Sequence, residues 1–175
     1  PVRNDITAGK RFDFIPAEAF VVFVTGGSQG AHAVNLLMKD ALSLMRSELN
    51  KREGAVRPLY VIHQTGLRDE EEVRGWYEGS SVPCRVQGFE REMANAFASA
   101  DLVVARAGAS TCFELAVCGK PALLIPLPTA MRNHQHFNAD AFAAKGAADE
   151  GIQAELAVRQ VCRYLLEKYD HPEHL

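Results

Sequence analysis

The sequence predicts an α/β protein built on an open, parallel, Rossmann-like sheet of about six strands with helices on both faces. Three observations lead there. Short, uniformly apolar runs alternate with longer segments whose apolar residues recur at helical spacing. The apolar runs lack the in-and-out alternation of a half-exposed sheet, as expected of strands covered on both faces. Two of them open directly into glycine-rich turns that lead into a helix, the usual strand-to-helix junction of this class.

The first run, Phe20-Val21-Val22-Phe23-Val24, reads as a buried strand and is followed by Gly26, Gly27, Ser28, Gln29 and Gly30. Beyond it Ala31, Val34, Leu37, Met38, Ala41, Leu42, Met45 and Leu49 fall on one helical face. After a polar break, residues 59–62 form a second strand ending at His63-Gln64-Thr65-Gly66. Residues 68–77 read as a helix, with Asp69, Glu70 and Glu71 where a helix N-terminus favours acids. A third strand is expected over 82–89, then a helix over 90–100 with Met93, Ala94 and Phe97 facing inward. Residues 102–105 are a fourth strand, leading into a second glycine turn, Arg106-Ala107-Gly108-Ala109-Ser110-Thr111. The helix behind that turn stops at Gly119. A fifth strand at 122–125 is closed by Pro126-Leu127-Pro128, and residues 134–145 are helical. Gly146-Ala147-Ala148 is expected to give a short sixth strand, and 154–168 a last amphipathic helix. Residues 1–19 read as an interdomain linker remnant, the tail of something preceding, which leaves 20–175 as the folded domain.

Composition narrows the class. A chain of 175 residues suits one domain with a proper core. The apolar and charged fractions, 47% and 23%, are those of a soluble globular protein, and the net charge of −3 without a basic run argues against nucleic-acid binding. Cys84, Cys112, Cys118 and Cys162 show neither CxxC nor Cys/His ligand spacing, so buried free thiols in a reducing compartment are expected. No apolar run is long enough to span a bilayer, and no signal peptide is evident.

Ligands of open parallel sheets bind beyond the carboxyl ends of the strands. The residues there are 26–30, 63–66, 88–90, 106–111 and 126–135. Two of these segments are glycine turns at helix starts, where unpaired amides and the helix dipole favour an anion. A diphosphate, with two groups to hold, is the natural guess. The first turn on its own admits two readings: a phosphate loop, or a tight turn in which Ser28 only caps the helix. A dinucleotide cofactor is disfavoured, because Gly26, Gly27 and Gly30 make GGxxG and no acid follows the second strand. A Walker loop fails for want of GK[ST], and Ser28 does not sit in GxSxG. His134 and His136 would point about 200° apart on a helix, which suits polar helix residues better than a metal site.

GGSQGA after the first strand, RAGAST…E after the fourth and PLP…HQ…NA after the fifth together closely resemble the MurG family of peptidoglycan glycosyltransferases. The resemblance covers nearly the whole chain. It implies the C-terminal, donor-binding half of a two-domain GT-B fold. Members transfer N-acetylglucosamine from UDP-N-acetylglucosamine (UDP-GlcNAc) to lipid I, making lipid II, with inversion at the anomeric carbon.

That resemblance also implies roles. Gly27, Ser28, Gln29 and Gly30 would hold the UDP diphosphate, joined by Ala109, Ser110 and Thr111. Glu114 would accept hydrogen bonds from the ribose hydroxyls, since a carboxylate offers acceptors to both donors of a diol. Phe89 and Glu90 would lie beside the uracil and read it through backbone groups, with Met93 packing nearby. Gln135 and His134 would contact the sugar, Asn138 would support that helix start, and Arg3 would approach from the linker. The family commonly has a more acidic stretch before HQ, where this chain has Thr129-Ala130-Met131-Arg132-Asn133. No metal or other cofactor is implied, UDP-GlcNAc being a substrate. The acceptor lipid, the general base and the membrane contact belong to an N-terminal acceptor domain, and the full-length protein would be peripheral on the cytoplasmic face of the bacterial inner membrane. Two alternatives remain at this point: a stand-alone donor subunit of a split glycosyltransferase, and a UDP-sugar epimerase half or sensor on the same fold.

Overall fold

A computed structural model describes residues 5–129, 133–151 and 157–174. Six strands form one all-parallel sheet: β1 (Phe20–Thr25), β2 (Leu59–Gln64), β3 (Cys84–Gln87), β4 (Leu102–Ala105), β5 (Ala122–Leu124) and β6 (Asp149–Glu150). Their order is β3-β2-β1-β4-β5-β6, as in dinucleotide-binding sheets. The helices are α1 (His32–Asn50), α2 (Glu70–Ser80), α3 (Met93–Ser99), α4 (Ala109–Cys118), α5 (His134–Ala143) and α6 (Val158–Asp170).

The uniformly apolar strands serve two cores, because successive side chains point to opposite faces. Phe20, Val22 and Val24 join Val61, Leu102 and Val104 under α1, α2 and α6. Val21, Phe23, Ile62, Val103 and Leu124 pack under α3, α4 and α5. In that second layer the Phe23 and Phe97 rings meet edge to face at 5.4 Å, a geometry worth about 1 kcal/mol beyond burial. Ile6, Phe12 and Ile15 are also buried there, so residues 5–19 pack onto the domain surface. Arg11 fastens the segment by donating to the carbonyls of Ser99 (3.0 Å) and Pro16 (2.9 Å).

The expected elements are present, with β3 shorter than 82–89 and the last helix described from Val158 to Asp170, its expected start at 154–156 lying outside the described residues; two elements are placed differently. The sixth strand lies at Asp149–Glu150, not at 146–148, and is paired to Leu123 and Leu124. It is a two-residue edge strand whose polar side chains bond outward, Asp149 accepting from Tyr164 Oη (2.9 Å) and Glu150 meeting His136 (3.1 Å), so it carries no apolar pattern. The third helix starts at Met93, not at Glu90, because the side chain and N–H of Glu90 bond elsewhere. All four cysteines are free; Cys112 and Cys162 are buried, whereas Cys84 and Cys118 are only half-buried. Burial pushes the thiols of Cys84 and Cys112 up to about 11, which keeps them protonated.

Candidate functional site

β1 and β4 are adjacent, yet the chain leaves β1 toward β2 and β3 on one side and continues from β4 toward β5 and β6 on the other. Their junction is therefore the topological switch point of the sheet. Thr25 pairs with Ala105 as the last residues of the two strands, and the Arg106 N–H donates to the Thr25 carbonyl at 3.3 Å. Both glycine turns thus leave the sheet at one level, side by side, with α1 and α4 departing over opposite faces.

The first turn is held from below. A Cβ on Gly26 would lie 2.3 Å from the Ala31 nitrogen, and one on Gly30 (φ +76°) would lie 2.3 Å from the Thr65 carbonyl oxygen. Only glycine fits either position. The Gly30 N–H donates to the Gly27 carbonyl (3.1 Å), leaving Ser28 and Gln29 at the exposed corners. The Gly27 N–H donates to Thr25 Oγ1 at 3.1 Å. The amides of Gly27 and Gly30 are thus engaged within the loop, while those of Ser28 and Gln29 have no acceptor among the described residues. The N-cap of α1 is Ala31, with no side-chain cap, which removes the reading of Ser28 as a capping residue.

The second turn ends at Gly108, the N-cap of α4, again without a side-chain cap. The first intrahelical bond runs from the Cys112 N–H to the Gly108 carbonyl (2.9 Å), so the amides of Ala109, Ser110 and Thr111 precede it. Glu114 lies one turn further, 7% exposed. Arg106 is buried and donates through Nη1 to the carbonyls of Ile125 (3.1 Å) and Pro126 (3.0 Å). Burial lowers the pKa of its guanidinium, and these bonds tie the turn to the end of β5. Asn138 Nδ2 donates to the Ala107 carbonyl at 2.9 Å, fastening α5 to the same turn. Gln135 Oε1 accepts from the Leu127 N–H at 3.0 Å, and His134 is exposed at the start of α5. Arg3 lies outside the described residues.

On the other side of the crevice Phe89 is exposed beside a groove of about 750 Å³ lined by Leu67, Arg85, Gln87, Phe89 and Glu90. The Glu90 carboxylate is not available to a ligand there. It is 1% exposed and gripped by Arg85 at 2.8 and 3.1 Å, an ion pair that raises the Arg85 pKa. Met93 is a core residue of the second layer.

A buried polar chain lies under the first turn, and sequence reasoning did not assign it. His63 stands between Tyr77 Oη (3.0 Å) and Asn35 Oδ1 (3.0 Å); Asn35 Nδ2 donates to the Thr65 carbonyl (2.9 Å) and to Asp69 (2.8 Å). Burial holds the imidazole down at about 3, so it is neutral, donating from Nε2 to Asn35 and accepting at Nδ1 from Tyr77. Burial also pushes the Asp69 carboxyl up, but hydrogen bonds from His32 and Asn35 outweigh that and leave it below its ordinary value. The available signal was the polar trio 63–65 closing an otherwise apolar strand. Among the described residues no three His, Cys, Asp or Glu side chains stand together as a metal site, and no helix is long and apolar enough to cross a membrane.

Residues 21–175 match the glycosyltransferase family 28 C-terminal domain. The chain belongs to that family. The family 28 domain is 39% identical over 158 residues to the UDP-N-acetylglucosamine--N-acetylmuramyl-(pentapeptide) pyrophosphoryl-undecaprenol N-acetylglucosamine transferase of Geobacter sulfurreducens, covering 90% of this chain and 42% of the relative. It is 37% identical over 175 residues to the like-named protein of Myxococcus xanthus, covering all of this chain and 44% of that one. Among solved structures it is similar to Acinetobacter baumannii MurG, with a TM-score of 0.79 and 29% identity over 99% of this chain and 48% of that chain. The chain therefore spans less than half the length of these relatives.

Proposed function

We propose that this chain is the donor-binding half of an inverting glycosyltransferase that moves N-acetylglucosamine from UDP-GlcNAc to lipid I. The observation that carries the reading is the pairing of Thr25 with Ala105, which sets two uncapped helix starts side by side at the switch point. The transferase names of the relatives agree with it.

In this reading Ser28, Gln29, Ala109, Ser110 and Thr111 supply amides to the diphosphate, with Gly27 and Gly30 shaping the loop. The charge that develops on the departing UDP is met by donors aimed in advance, with two helix dipoles behind them and no metal required. Loss of one such donor is expected to lower the transfer rate by roughly 10²–10³. Glu114 holds the ribose diol, backbone groups of Phe89 and Glu90 read the uracil, and His134 and Gln135 meet the sugar. The acceptor hydroxyl is deprotonated by a base in the N-terminal half of the full-length protein, which also brings lipid I and rests on the cytoplasmic membrane face. The chain alone binds the donor and transfers nothing.

Calorimetric titration with UDP-GlcNAc, UDP-glucose, UDP-galactose and ADP-glucose tests this. UDP-GlcNAc should bind most tightly. A preference for ADP-glucose, or indifference to the sugar, would sink the assignment.

A further inference from the structure

Gln64 is the last residue of β2, 3% exposed, and its side-chain amide touches three residues in two separate segments. Nε2 donates to Thr25 Oγ1 at 3.0 Å and to the Gly27 carbonyl at 2.9 Å. Oε1 accepts from the Glu90 N–H at 3.0 Å. The orientation of the amide is dictated by its partners. A carbonyl can only accept and a backbone N–H can only donate, so the flipped amide would set donor against donor.

These bonds fix two peptide planes. In a trans peptide the C=O and the following N–H point in opposite directions, and the chain has no cis bonds among its described residues. Holding the Gly27 carbonyl down on Gln64 therefore turns the Ser28 N–H away from it, out of the loop. The second lone pair of the same carbonyl takes the Gly30 N–H at 3.1 Å, so the plane is held from two sides. Taking up the Glu90 N–H likewise turns the Phe89 carbonyl, an acceptor, away from Gln64. One neutral side chain thus orients a donor in the glycine turn and an acceptor in the loop after β3.

We infer that Gln64 is a positioning residue that sets the phosphate turn and the base-side loop in register with each other, so that a uridine diphosphate meets both at once. The inference rests on the donor-site reading above. Gln64 itself touches no ligand in it; it acts through Gly27 and Glu90. A neutral amide is suited to the task, since it supplies donor and acceptor together without bringing a charge to the diphosphate.

Two variants of similar size separate the arms, with UDP and uridine as probes and thermal melting as the check on folding. Gln64→Met removes both arms and should weaken UDP and uridine each by about tenfold, the worth of one or two buried hydrogen bonds. Gln64→Glu keeps the acceptor for the Glu90 N–H but loses the donors to Gly27 and Thr25. It should weaken UDP by about tenfold or more while uridine stays within about threefold, so the UDP-to-uridine ratio collapses. A merely structural role would move both probes alike in Gln64→Glu, and plain repulsion by the new carboxylate would fade in high salt, where the loss from a misplaced turn persists. UDP binding within twofold of the parent in either variant, or a parallel loss of both probes in Gln64→Glu, overturns the inference and leaves the donor-site reading standing. Failure of the parent chain to bind UDP at all overturns both.

Discussion

Arg85 grips the carboxylate of Glu90 through two parallel hydrogen bonds, with its guanidinium 4.8 Å from the centre of the Phe12 ring. The pair joins the loop after β3 to the segment that packs beside it. Because Glu90 is almost wholly buried, removing its partner strands a charge away from water. Arg85→Met should therefore cost about 3 kcal/mol in urea unfolding. The double variant Arg85→Met/Glu90→Met should recover most of that; equal losses in the single and double variants would remove the ion pair as the cause.

The neutral His63 makes stability depend on pH. An unfolded chain binds a proton on this ring below its ordinary value of 6.5, whereas the folded chain does so only near 3. The unfolded state gains protons first as pH falls, so the His63 contribution to stability is lost progressively from about pH 6.5 downward. The loss should reach about 2 kcal/mol between pH 7.5 and pH 5. Urea titrations of the parent and of His63→Gln at both pH values check this, and identical slopes would dismiss it.

Two neighbouring glycines should respond differently to alanine. At Gly30 the added methyl meets the Thr65 backbone and the residue is held at φ +76°, so a loss of about 3 kcal/mol is expected. At Gly27 (φ +82°) the methyl meets nothing within 4 Å, and only the backbone conformation is penalised, by about 1 kcal/mol. Gly27→Ala should stay folded yet bind UDP at least about tenfold more weakly, because its methyl occupies space above the turn. Unaltered UDP affinity in a folded Gly27→Ala would place the diphosphate elsewhere.

Glu114→Gln should keep the fold and weaken UDP binding by about tenfold, since a neutral amide is a poorer acceptor for two hydroxyls. The parent should prefer UDP over 2′-deoxy-UDP, and the variant should lose part of that preference. An unchanged preference measured by calorimetry would take the ribose role away from Glu114.

The backbone of the fold was legible because its strands are apolar throughout and its helices are periodic. The glycine turns were legible as local sequence, and so were the helix starts behind them. Residues whose role depends on partners far along the chain were not. Gln64 and Arg85 look like ordinary polar residues until strand register brings Gln64 level with Thr25 and sets Arg85 beside Glu90. β6 was misplaced for a related reason: a two-residue edge strand is chosen by what β5 offers it and by polar partners on α5 and α6, not by an apolar pattern of its own. Asn138 and Gln135 show the same limit, since their amide groups reach back to Ala107 and Leu127 across the turn.

A sheet whose strands all run one way has a front and a back. The front carries the turns that follow the strands; the back carries the returns from helix to strand, among them the exposed stretch between α1 and β2. Gly54, in that stretch, stands at φ +88° with open space around it. A surface tether or fluorescent reporter joined to the chain there would hold the domain by its back edge, with the crevice facing solution and its neighbouring strands undisturbed.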